Sequence, residues 1–121
     1  MTPAHGGTSM ETSILNTVKE SLGIPVDYTH FDGQIISDIN GVFTILHQLG
    51  VGPDEEFSIS DASSVWSDFI SEGNLHLVQQ YVNKKVRLMF DTSTISSYAL
   101  DVLQKEIAEY EWRLNVMADK T

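Results

Sequence analysis

Apolar residues recur along this chain at spacings of three and four, and the pattern divides it into helices joined by short polar segments. The most informative stretch is Leu75 to Phe90. Leu75, Val78, Val82, Val86 and Met89 form one face, and Leu77, Tyr81 and Leu88 fall nearly opposite. A helix that is apolar on two sides must be covered on two sides, so this one is expected at the centre with other helices before and behind it. Asn74 suits its N-cap, Gly73 breaks the segment before it, and Asp91 with the following Thr-Ser-Thr ends it.

The other elements follow from the same spacing. Ser13 caps a helix over Ile14 to Leu22, with Leu15, Val18 and Leu22 as its stripe, stopped by Gly23 and Pro25. Phe31, Ile35, Ile36, Ile39, Val42, Phe43, Leu46 and Leu49 give a second, deeply buried helix up to Gly50, with Asp27 to His30 as its capping region. Gly41 inside it implies either a close backbone neighbour or tolerated slack. Val51 to Ser60 alternates briefly like a strand without a strand partner, and is expected to be a loop pinned by Phe57 and Ile59. Ser60 or Asp61 should cap a short third helix carrying Trp66, Phe69 and Ile70 and ending near Gly73. The last and longest helix, about Ser97 to Ala118, has a coiled-coil type seam of Leu100, Leu103, Ile107, Tyr110, Leu114 and Met117. The expected fold is all-α, one compact domain of about five helices over residues 13–121. Residues 1–12 are expected to be a disordered arm or an added leader.

The C-terminal helix carries a second alternation on its back. Tyr98, Val102, Lys105, Glu109, Trp112 and Val116 follow it, with apolar ends and a charged middle in which Lys105 and Glu109, at i, i+4, can stay solvated or meet charges on a partner. Trp112 and Val116 are therefore expected at an interface with another subunit or a partner, with Arg113 able to reach a carboxylate across it. The competing expectation is that Trp112 folds back towards the first helix as ordinary core.

Composition narrows the function. The 121 residues carry 17 acidic and 7 basic side chains, a net charge of −10, which disfavours nucleic-acid binding as the main activity. No cysteine is present, so disulfides, thiolate metal sites and thiol nucleophiles are excluded. No apolar run is long enough to cross a bilayer, and a soluble protein is expected. Asp27, His30 and Asp32 have ligand-type side chains, but they straddle a helix start without ligand spacing and read better as caps. His47 and His76 read as surface residues. No nucleophile elbow or phosphate-cradling loop occurs, so neither a catalytic residue, a cofactor nor a metal is expected. Asp54-Glu55-Glu56 reads as a solvated loop tip. Lys84, Lys85 and Arg87 are the only basic cluster, and they serve either helix-dipole compensation or docking to an acidic partner or neighbouring subunit.

In order along the chain, SILNTVKESLG, FDGQIISDINGVFTILHQLGVG, SSVWSDFI, YVNKKVRLMFD and LQKEIAEYEWRLNV resemble the head-tail connector (adaptor) family of tailed bacteriophages. The resemblance runs from about Ser13 to Met117 and rests on core pattern and helix ends. It implies a non-catalytic virion protein of the head-tail junction, assembled in the host cytoplasm as a ring of twelve copies beneath the portal protein. It further implies a stopper or tail-completion protein on the other side, with DNA passing through the lumen without specific binding. An acidic wall suits that passage because it repels phosphate. The rival reading is an acidic regulatory protein, such as a DNA-mimicking inhibitor of a basic partner. That would need carboxylates on one continuous face, whereas here they are scattered through caps, loops and helices.

Overall fold

The computed structural model describes residues 11–70, 74–90 and 95–119. Four α-helices occur among them: α1 (Ile14–Ser21), α2 (Asp32–Gln48), α3 (Leu75–Phe90) and α4 (Ser97–Asp119). No strand is present among the described residues, only an isolated antiparallel bridge between Ser13 and Val65. Most of the 1–12 arm, Gly73 and Asp91 fall outside the described residues.

The central position of α3 follows from its two stripes. Val78, Val82 and Val86 are fully buried, and Tyr81, about 100° round the helix from them, is too. Leu77 and Leu88 are half-buried against the same core. Helix α3 packs chiefly against α2 and α4, with α1 contacting both α2 and α3. From α4 the core receives Leu103, Ile107 and Leu114, each at the spacing its seam requires. Two ends of the stripes escape burial: Phe31 precedes α2 and Met89 lies in the last turn of α3, and both are exposed. Gly41 meets only the Met89 Cε at 3.5 Å from where its Cβ would stand, so slack and no close backbone approach explains it.

The caps divide into those that use a side chain and those that do not. Ser13 Oγ accepts from the Asn16 N–H at 3.2 Å and starts α1. Ser96 Oγ accepts from the Ala99 N–H at 3.1 Å and starts α4. At α2 the expected capping by Asp27, His30 or Asp32 is not found: the N-cap is Phe31, with no side-chain bond. A turn does the work there, the Asp32 N–H donating to the Thr29 carbonyl at 3.2 Å. Asp32 instead occupies the first turn, where a carboxylate complements the helix dipole.

The expected short third helix does not form. Only a single 3₁₀ turn, Trp66–Asp68, forms where a helix from Ser60 or Asp61 to Gly73 was expected. Local side chains and a distant segment compete for the backbone groups such a helix would need. Asp61 Oδ1 accepts from the Ser63 N–H at 2.9 Å, and Asp68 Oδ2 accepts from the Val65 N–H at 3.0 Å. The Ser64 carbonyl accepts from Ile14 N–H, and Trp66 N–H donates to the Thr12 carbonyl. Trp66 is buried nonetheless, its Nε1–H donating to Thr17 Oγ1 at 3.2 Å.

The 51–60 segment is a loop, and its missing strand partner turns out to be a side chain. Asn40 on α2 donates from Nδ2 to the Ile59 carbonyl at 3.0 Å and accepts at Oδ1 from the Ile59 N–H at 2.8 Å. Beneath this loop Phe43 stacks on Phe69 at 4.6 Å between ring centroids, and Phe57 closes on both edges at 5.1 and 5.3 Å.

Candidate assembly surface

Helix α4 is pinned to α3 along one side by polar contacts that flank its apolar seam. Lys84 Nζ reaches Glu106 at 3.3 Å and Lys85 Nζ reaches Glu111 at 3.6 Å. Tyr81 donates its hydroxyl to Glu111 at 2.7 Å. Burial first, then the Glu111 bond and charge, push the Tyr81 phenol well above its ordinary range. These contacts align α3 and α4 antiparallel and leave the back of α4 facing outwards.

That back is exposed at both ends. Tyr98 is 80% exposed and Trp112 68%, so Trp112 is not folded back as core. Val102 is exposed and Val116 half-buried. Between them Lys105 and Glu109, expected to stay solvated or to meet charges on a partner, each meet a charge within α4. Lys105 bonds to Asp101 at 3.2 Å, and Arg113 bonds to Glu109 through Nη2 at 2.6 Å and Nε at 3.0 Å. In both pairs the acid lies four residues N-terminal to the base, which is the better orientation along a helix; Lys105 to Glu109 runs the other way. Arg113 is thereby tied within its own helix.

The basic cluster of the sequence is divided by the fold. Lys84 and Lys85 are held on α4, whereas Arg87 is exposed and holds no carboxylate among the described residues. Arg87 stands at a groove of about 520 Å³ between the C-terminal half of α3 and the N-terminal half of α4. A second groove, about 460 Å³, lies beside Trp112 and Val116 where α4 passes His76 and Leu77.

Another patch was not legible in the spacing. Tyr28 and Phe31 are exposed and meet edge to face at 5.9 Å, and Phe31 sets its ring in the same way against Phe90 at 5.5 Å. Lys19, buried to 1% exposure, fixes this loop: its Nζ donates to the Val26 and Tyr28 carbonyls, both at 2.8 Å, and pairs with Asp32 at 2.7 Å. One signal was available. Lys19 lies four residues after Leu15 and three before Leu22, on the apolar face of α1.

Asp32 is engaged by Lys19, and no group of three His, Asp or Glu side chains converges as a metal site among the described residues. His76 is exposed and His47 half-buried. Of the acidic loop tip, Glu56 accepts from Thr44 Oγ1 at 2.6 Å, and Asp54 and Glu55 face solvent. Asp32, Asp101, Glu106, Glu109 and Glu111 each face a cation, so the acids along α4 offer no run of unpaired charge of the kind a nucleic-acid mimic needs.

The back of α4 is thus apolar at its ends, internally neutralised in its middle, and framed by grooves. A family model described as phage connector protein matches residues 14–121, from the first residue of α1 onwards. The chain belongs to the phage connector protein family. The match spans all four helices and agrees with the resemblance to head-tail connectors carried by the helix pattern. No curated protein and no solved structure matches the chain. Within this family member, no helix among the described residues is long and apolar enough to cross a membrane.

Proposed function

We propose that this connector is a structural, non-catalytic virion protein that forms a ring at the head-tail junction, joining the portal to the stopper or tail. The observation that carries the reading is the outward back of α4, where Tyr98, Val102 and Trp112 are exposed on a chain whose core is already filled by the opposite seam. An exposed tryptophan beside an apolar groove is a frequent anchor in protein interfaces. Family membership supplies the context, and the net charge of −10 suits a channel through which DNA moves without adhering.

The same charge makes neighbouring copies repel, so assembly should strengthen as salt screens them. Sedimentation across an ionic-strength series, with and without the portal protein, tests the reading. Trp112→Ala should leave chain stability within about 0.5 kcal/mol of the parent, as for other exposed positions. It should also abolish assembly or portal binding. A variant that melts normally and still assembles overturns the role of α4, and a constant monomer mass under every condition, with portal present, overturns the ring.

A further inference from the structure

The groove between α3 and α4 carries a cation that lacks a partner. Arg87 at its edge holds no carboxylate among the described residues, although Lys19, Lys84, Lys85, Lys105 and Arg113 each hold one. Tyr98 and Val102 supply an exposed apolar rim. A fitting occupant therefore brings a carboxylate for Arg87 and carbon surface for the rim. An acidic turn of polypeptide has both.

The chain presents such a turn. Pro53, Asp54 and Glu55 are exposed, and neither acid faces a cation among the described residues. The turn is held from both sides, by buried Val51 before it and by Glu56 and Phe57 after it. It cannot enter its own groove. The turn follows Gly50, which packs against Ala118 at the far end of α4, whereas Tyr98 and Val102 mark the near end. At about 1.5 Å per residue, the helix separates Val102 from Ala118 by roughly 24 Å.

We infer that the 53–55 turn of one copy docks in the α3/α4 groove of the next, placing Asp54 and Glu55 at Arg87. The two patches differ and lie apart on one subunit, so the contact is head-to-tail, the kind that closes into rings or extends into filaments. The inference rests on the ring reading above and names the surfaces that would join its copies.

The absence of native cysteine permits a direct test. Ala99→Cys at the groove and Glu55→Cys on the turn are made in separate chains, mixed and oxidised, with Gln104→Cys plus Glu55→Cys as the collision control. The Ala99 pair should form a mixed disulfide dimer at least about tenfold faster than the control, and one chain carrying both cysteines should give a ladder of higher oligomers. Arg87→Glu should slow the mixed crosslink about tenfold, as loss of a charged interface contact does, and Asp54→Lys should restore it. Crosslinking no faster than the control overturns the docking. If oligomers still sediment in that case, the ring stands and only these surfaces are wrong; if none do, both readings fall. Protection of the Ala99→Cys thiol by portal protein, without the mixed crosslink, assigns the groove to that partner and also overturns the inference.

Discussion

Lys19 Nζ lies 2.7 Å from a carboxylate oxygen of Asp32, and the lysine is almost sealed from solvent while the aspartate is partly wet. The pair joins α1 to the first turn of α2, and the two further bonds from Lys19 fold the intervening segment over its own side chain. The loop that carries Tyr28 and Phe31 is therefore shaped by one buried cation.

Lys19→Met should cost about 2–4 kcal/mol in chemical denaturation, because it leaves the Val26 and Tyr28 carbonyls and the Asp32 charge without their donor. Asp32→Asn should cost less, since Lys19 keeps both carbonyls. Equal losses from the two would show that the ion pair, and not the loop clamp, carries the stability.

Tyr81 gives the fold a dependence on alkaline pH. Its phenol is raised in the folded chain by burial and by Glu111, so folding favours the neutral form. The contribution is complete below the unfolded value of about 10 and is lost as pH rises beyond it, because the unfolded chain ionises first. Tyr81→Phe should cost about 1 kcal/mol at neutral pH through the lost hydrogen bond. It should also flatten the decline in stability above pH ~10, where the unfolded phenol titrates. Parallel denaturation of parent and variant between neutral and strongly alkaline pH measures both effects, and identical slopes would exclude Tyr81 as their source.

Gly52 and Gly33 should respond oppositely to alanine. Gly52 has φ +100°, and a Cβ there would stand 2.5 Å from Phe69 Cε1, inside the aromatic cluster. Gly52→Ala is expected to cost roughly 1–3 kcal/mol from strain and overpacking. Gly33, in the first turn of α2, has open space around it, and alanine there should gain up to about 1 kcal/mol from helix propensity. Thermal melts of the two variants decide the matter, and a neutral Gly52→Ala would mean the 51–57 loop yields easily.

Asp38 adds an acidic counterpart. One of its carboxylate oxygens is sealed without a partner, and burial raises the pKa above the ordinary aspartate value. Folding thus favours the protonated acid, and stability is lost as pH rises through the folded value. Asp38→Asn should stabilise the chain at neutral pH, with the gain shrinking on acidification towards the ordinary carboxylate range. A variant less stable than the parent at neutral pH would show that the charge is used.

The spacing of apolar residues was sufficient to determine four helices, the burial of both sides of α3 and the inward seam of α4, because each depends on periodicity within one segment. The same periodicity separated the back of α4 from its core face and placed Tyr98, Val102 and Trp112 together. It failed where a backbone group's partner lies far along the chain. The Ser64–Trp66 backbone is claimed by Thr12 and Ile14, which left a single turn in place of a helix, and the Phe57–Ile59 alternation found its partner in the Asn40 amide. Charges failed in the same way. Lys84, Lys85 and Arg87 are one cluster in sequence, yet Glu106 and Glu111 neutralise the first two and leave Arg87 at a groove. A side chain's type and local spacing give the face of a helix; which charge it meets depends on the helix laid against that face, and only tertiary packing decides that.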